Sequence, residues 1–305
     1  MKHIFIVNPQ AGLKDHTDEI RQHVDALRDE ADCEIYVTKC AGDATSYVRQ
    51  RCHDDSTPLR FYACGGDGTI NEVVSGVIGH PHAEMSCIPV GSGNDYVKYY
   101  GGAAAFDDFR SLLHGHAHAV DVMKITHASD PADIRYSINV SNFGFDAIVC
   151  KNIIQMRRHP IFGGRHAYTA GIVKALFGGR RTRCRITVDG ETMYDSDILF
   201  CTLGNGSFVG GAYNCSPRSK NDDGLIEVCT IKPLSLLRFI SMIGMYKNGT
   251  IIDNPKVQDK VIYRQGRVID VCGPKPFDFA LDGEMLIDTH FHIEQLDKAI
   301  RFVTP

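Results

Sequence analysis

The sequence has no surplus of positive charge. Its 33 Lys and Arg face 37 Asp and Glu, a formal net charge of −4, so no global field exists to hold nucleic acid and no nucleic-acid partner is expected. Paired-cysteine spacing is missing too. The 11 cysteines are scattered singly, in odd number and without CxxC, which excludes a disulfide scaffold and predicts reduced thiols in a cytoplasmic protein. Long apolar runs are also lacking: Ile4–Val7 is too short for a signal-peptide core and Leu234–Tyr246 is interrupted by Arg238, so no membrane span is expected. There are no biased tracts or internal repeats, and 43% hydrophobic against 23% charged residues excludes disorder, collagen and coiled coil. Among 14 histidines, His290 and His292 share a strand face with no third ligand beside them, so no zinc site is expected.

What is present is a change of pattern along 305 residues, a length that predicts two domains. His3–Val7, Glu34–Thr38 and Leu59–Cys64 read as buried strands. Between them, Thr17–Glu30 and a stretch opening at Gly42-Asp43-Ala44, with Asp43 as its cap, read as helices. This alternation predicts a parallel sheet with crossover helices, a Rossmann-like nucleotide domain over residues 1–122. From about Asp121 the segments Val120–Thr126, Tyr136–Phe143, Arg183–Val188, Ile198–Leu203, Leu225–Ile231, Val261–Cys272 and His290–Gln295 alternate like strands. They predict a C-terminal antiparallel β-sandwich domain over 123–290, with helical insertions near Asn152–Phe177 and Leu234–Lys247. Residues 291–305 form a closing segment whose return to the first domain stays open. The fold class is therefore α/β plus mainly β.

Glycines collect where the strands end. Gly65-Gly66-Asp67-Gly68-Thr69 follows a strand and precedes a helix, so backbone N–H groups there can close on an anion at the helix N-terminus. Asp67 repels phosphate; it could hold a cation bridging the phosphates or accept a proton. A plain strand-to-helix turn needs one glycine rather than three. Gly91-Ser92-Gly93-Asn94-Asp95 is a second such loop, in which Ser92 can donate to phosphate while Asn94 and Asp95 cap the next helix or hold ribose and metal-bound water. Asn8-Pro9-Gln10-Ala11-Gly12 ends the first strand and Thr38 the second, so four strand ends could share one site. Leu281-Asp282-Gly283-Glu284 puts two carboxylates on one tight turn, where both could project toward one point; a solvated hairpin turn is the plain alternative.

These segments, with Asn71-Glu72 after the first loop and Asp222-Asp223-Gly224-Leu225 before the last, appear in the order seen in the diacylglycerol kinase catalytic family. The chain resembles that family over essentially its whole length, and in particular its soluble bacterial lipid kinases. The resemblance implies an ATP-dependent lipid kinase using Mg²⁺, with Asn8, Gly12, Thr38, Gly65–Glu72 and Ser92 lining the ATP site. It implies Glu284 as the base that takes the lipid hydroxyl's proton; read from the residues themselves, Asp67 would support the metal or share the proton transfer, and on the Asp282–Glu284 turn one carboxylate could hold Mg²⁺ while the other accepts the proton. It also implies a structural Mg²⁺ held by the Asp223 carboxylate and the backbone carbonyls of Lys220 and Leu225. The expected acceptor is the hydroxyl of diacylglycerol or a related lipid. A kinase for a soluble substrate such as NAD is the alternative enzyme, and a nucleotide-sensing regulator the alternative from another class.

Residues Ala147 to Val188 contain no Asp or Glu but carry Lys151, Arg157, Arg158, Arg165, Lys174, Arg180, Arg181, Arg183 and Arg185. Such a block, with Phe162, Leu176 and Phe177 among the charges, predicts peripheral contact with an anionic membrane surface. A homodimer contact would explain it equally.

Overall fold

A computed structural model describes residues 1–157 and 181–305 of the chain. Strands β1 (Lys2–Val7), β2 (Asp32–Val37), β3 (Leu59–Gly65) and β4 (Ala83–Pro89) lie parallel in the order β2-β1-β3-β4. Helices α1 (Thr17–Asp25), α2 (Asp43–Asp54) and α3 (Asp67–Val77) make the crossovers, and α4 (Phe109–Leu113) follows. Both faces of this sheet are covered, so β3 and β4 are buried along their whole length, as parallel strands between helix layers must be.

The remaining strands are β5 (His116–His127), β6 (Asp130–Ser137), β7 (Val140–Gly144), β8 (Thr182–Val188), β9 (Glu191–Ile198) and β10 (Phe200–Gly204). They are followed by β11 (Phe208–Val209), β12 (Tyr213–Asn214), β13 (Ile226–Ile231), β14 (Val261–Gly266), β15 (Val268–Leu281) and β16 (Glu284–Thr304). Except for the β4–β16 contact their pairings are antiparallel, and they form the sandwich-like second half. Helices α5 (Phe145–Arg157) and α6 (Leu236–Lys247) pack against it. Among the described residues, no helix is long and apolar enough to cross a membrane.

One strand joins the halves. β16 pairs antiparallel with β15 and β5, and near its end it meets β4 in parallel, with Phe302 opposite Met85. Its register slips between Leu296 and Ile300. There Lys298 takes φ +48 and its N–H donates to the buried Asp121 carboxylate at 2.7 Å.

Several local expectations change. Tyr136–Phe143 is two strands, because the backbone N–H groups of Ile138 and Asn139 turn toward Asp282 instead of a neighbouring strand. Val261–Cys272 breaks at Arg267, whose N–H donates to Asp189. Asp43 does not cap α2: its carboxylate takes Tyr36 Oη and Lys39 N–H. The free amides of Gly42 and Ala44 are taken by Glu72 of α3, at 3.0 and 3.1 Å. A side chain two elements away thus does the work of a local cap. Of the basic block, residues 158–180 lie outside the described residues. Within the described part Lys151 pairs with Asp278, while Arg183 and Arg185 share Asp195.

Candidate active site

The two glycine loops meet backbone to backbone. A Cβ on Gly91 would stand 2.3 Å from Gly66 Cα, closer than non-bonded carbons can approach, so only glycine lets the loops share one cleft. Asp67 joins them: Oδ1 accepts from the N–H groups of Asp95 and Tyr96 at 2.7 and 3.0 Å, while Oδ2 lies beside Gly93. Burial, reinforced by the Asp95 carboxylate, pushes Asp67 up to about 6. Asp95 is held in turn by Lys98 at 2.5 Å and the Gly211 N–H at 2.8 Å. Asn94 stitches its own loop through the carbonyls of Pro89 and Gly91.

Across the cleft, Asp282 and Gly283 make the two-residue turn between β15 and β16, with φ of +43 and +91, the signature of an Asp-Gly hairpin. Both carboxylates line the cleft, but they differ in how many donors hold them. Asp282 accepts from Asn71 Nδ2, Ser137 Oγ and the N–H groups of Ile138, Asn139 and Val140, at 2.9 to 3.2 Å. With five donors on two oxygens, it is an anchor that leaves little room for metal or proton. Glu284 faces the cleft and makes one 3.4 Å contact with Arg135. Burial raises its carboxyl, and the Arg135 guanidinium pulls the other way.

The cleft has a volume of about 620 Å³ and two ends. Asn8, Gly12, Gly66, Asp67, Gly68, Thr69, Ser92, Gly93 and Asp95 line the polar end, with Glu72, Asp282 and Glu284 at its margin. A side chamber of about 150 Å³ beside it adds Pro9 and Thr38. Asn8 donates to Thr69 Oγ1 at 3.1 Å, linking the end of β1 to the start of α3. The other end is apolar, formed by Phe145 of α5, Leu199, Phe200, Ile231 and, from α6, Phe239 and Met242.

Some expected residues lie outside the cleft lining. Gly65 packs beneath Thr69. Asn71 is buried and clamps the halves together through Tyr136 O and Asp282. Glu72 reaches the cleft, but its carboxylate is occupied at α2. Lys220, Asp223 and Leu225 line neither chamber. Asp223 is exposed and its Oδ1 accepts the Leu225 N–H at 3.1 Å, an Asx turn. Among the described residues no three His, Cys, Asp or Glu side chains are grouped to hold a metal ion. A hard divalent cation wants about six oxygens; the Asp223 carboxylate and the Lys220 and Leu225 carbonyls could supply part of such a set.

The sequence reading missed Arg135 and the whole apolar end. A signal for the latter was there: Gly144-Phe145-Asp146 closes a buried strand and opens a helix, as the nucleotide-type loops do, and Leu234–Tyr246 is the longest apolar run.

The profile of the diacylglycerol kinase catalytic domain matches residues 2–125, and that of the YegS C-terminal NAD kinase beta sandwich-like domain matches residues 139–304. The chain is 27% identical over 292 residues to a "Probable lipid kinase YegS-like" of Enterobacter sp. (strain 638), covering 94% of this chain and 91% of that one. To the protein of the same name from Shewanella frigidimarina (strain NCIMB 400) it is 28% identical over 305 residues, covering 96% and 92%. A crystal structure of a diacylglycerol kinase from Bacillus anthracis str. Sterne superposes with TM-score 0.72 at 21% identity, covering 100% of this chain and 97% of that one. Yeast NADH kinase complexed with NADH gives 0.54 at 12%, covering 100% and 84%. At these identities the two structures speak to the fold alone. With one profile along residues 2–125 and the other along more than half of its length, the chain belongs to the diacylglycerol kinase catalytic family in its two-domain, YegS-like form, and is a kinase of the lipid kinase type.

Proposed function

We propose that this kinase transfers the γ-phosphoryl group of Mg²⁺–ATP to a hydroxyl of diacylglycerol or a related lipid. The observation that carries the reading is the continuity of the cleft, with glycine-loop amides and Glu284 at one end and an apolar chamber of α5 and α6 side chains at the other. A triphosphate is suited to the first, where the N-terminus of α3 offers unpaired N–H groups. An acyl chain is suited to the second, since burying it removes apolar surface from water on both sides. The soluble alternative, NAD, has no use for that chamber.

In the transfer, the lipid oxygen bonds to the γ-phosphorus, the bond from that phosphorus to the β,γ-bridging oxygen breaks, and ADP leaves. Glu284 takes the hydroxyl proton; its raised carboxyl is a better acceptor than an ordinary glutamate. Such a transition state is loose, so alignment and charge neutralisation do most of the work. Asp67, whose Oδ1 is held by the Asp95 and Tyr96 amides, would help hold the Mg²⁺ that arrives with ATP, which would neutralise charge on the phosphates. Asp282 acts by positioning, holding the Glu284 turn against α3 through Asn71. The same reading places the enzyme at an anionic membrane surface, where Leu237 and Ile240 of α6, 83% and 56% exposed, could enter the interface above the chamber.

The test is incubation of the full chain with labelled ATP, Mg²⁺ and a mixed lipid extract, with NAD as acceptor in a parallel reaction. Label in a lipid, lost in Glu284→Gln, is the expected result. Label in NAD alone, or a lipid product unaffected by Glu284→Gln, would overturn the assignment.

A further inference from the structure

The apolar chamber holds a strip of polar groups that nothing in the transfer uses. Asp146, at the start of α5, lines it, and its Oδ2 accepts from Tyr246 Oη of α6 at 2.7 Å. Tyr246 Oη also lies 3.1 Å from Thr202 Oγ1 on β10. Asn142 of β7 sits opposite Thr202 in the strand register and also lines the chamber. It is 6% exposed, and its Oδ1 is buried without a hydrogen-bond partner among the described residues. Polar atoms left unpaired in an apolar cavity are costly unless a ligand pairs them.

Their position is informative. Val140, two residues before Asn142 on β7, is one of the amides that hold Asp282 and with it the Glu284 turn. At about 3.3 Å per strand residue, Asn142 stands about 7 Å inward from the backbone that anchors the base. The strip therefore faces the part of a bound lipid a few bonds beyond its reacting hydroxyl. Burial pushes Asp146 up to about 6, so near neutral pH it is mostly ionised and can only accept hydrogen bonds. Beyond its single hydroxyl, a diacylglycerol offers this carboxylate only ester oxygens, which are acceptors as well. A lipid with a second hydroxyl or an N–H at that point would satisfy it.

We propose that Asp146, backed by Tyr246 and Thr202 and flanked by Asn142, is a specificity site that selects acceptor lipids carrying a second hydrogen-bond donor close to the phosphorylated hydroxyl. The inference rests on the lipid-kinase reading above and narrows its substrate class to monoacylglycerol-like or N-acyl amide lipids.

The experiment compares initial rates on 1-oleoylglycerol, N-oleoylethanolamine and 1,2-dioleoylglycerol in uncharged detergent micelles with Mg²⁺–ATP at pH 7.5. Wild-type enzyme should show kcat/KM at least about tenfold higher on one or both donor-bearing lipids than on dioleoylglycerol. Which of the two is preferred tells a hydroxyl from an N–H. Asp146→Asn, which keeps the size but removes the charge, should shrink that preference by about tenfold or more. If that variant does not give a native melting curve, Tyr246→Phe, which frees the carboxylate from its tether, should shrink the preference instead. Dioleoylglycerol as good as or better than both other lipids, or a preference unmoved in the folded variant, overturns the inference and leaves the lipid-kinase reading standing. Phosphorylation of none of the three, with label in other acceptors only, overturns both.

Discussion

Asp282→Ala and Glu284→Gln should fail in different ways, although the two residues sit on one turn. Removing the Asp282 carboxylate strands five donors, three of them backbone N–H groups, at a half-buried point where the two halves of the chain meet. Each donor left dry costs about 1–3 kcal/mol. If water reaches three of them and two remain unpaired, the loss is about 2–6 kcal/mol. At about 2–4 °C per kcal/mol for a large domain, the melting temperature should fall on the order of 10 °C, and turnover should fall with it as the Glu284 turn loosens. Glu284 is 45% exposed and has one 3.4 Å contact, so Glu284→Gln should melt within about 2 °C of wild type while losing roughly 10²–10⁴-fold in kcat. Thermal melts and initial rates on the same preparations read both effects. Asp282→Ala melting like wild type would refute the anchoring argument, and wild-type kcat in Glu284→Gln would remove the base.

Gly91→Ala forces its Cβ against Gly66 and should raise the KM for ATP, since misplacement on the order of 1 Å costs about 10²-fold; an unchanged KM would show that the loops separate freely. In Arg135→Gln the acid limb of the kcat/KM profile should move to higher pH, because activity requires ionised Glu284 and the guanidinium holds that pKa down. A limb that stays or moves lower contradicts the contact. His3 is buried against Tyr62 Oη at 2.8 Å, and burial, aided by Arg60, pushes its imidazole down to about 4. The unfolded chain takes up that proton first, so stability drops as pH falls from about 6.5 to 4, by up to about 3 kcal/mol. Urea melts at pH 7.5 and 4.5 should show a smaller drop for His3→Gln than for wild type, and equal drops would remove His3 from the account.

What the sequence determined alone is local: an apolar strand, then glycines, then a helix, which is why the phosphate-type loops around Gly66 and Gly93 could be read from a few residues. Backbone conformation there depends on near neighbours, and a missing Cβ is visible in the sequence itself. The same holds for Asp282-Gly283, where two adjacent residues dictate a hairpin turn. Tertiary structure decided whatever needs partners far along the chain. Asn71 meets Asp282 across 211 positions, a tie between α3 and the β15–β16 turn that neither local segment announces. Glu72 serves a helix 28 residues before it, because the orphan amides of α2 take the nearest carboxylate in space rather than Asp43 beside them. The apolar chamber needs β10, β13, α5 and α6 together, and no one of them shows that its apolar residues face a cavity rather than a filled core. Burial and pairing are properties of the packed molecule, and periodicity constrains only which side a residue faces.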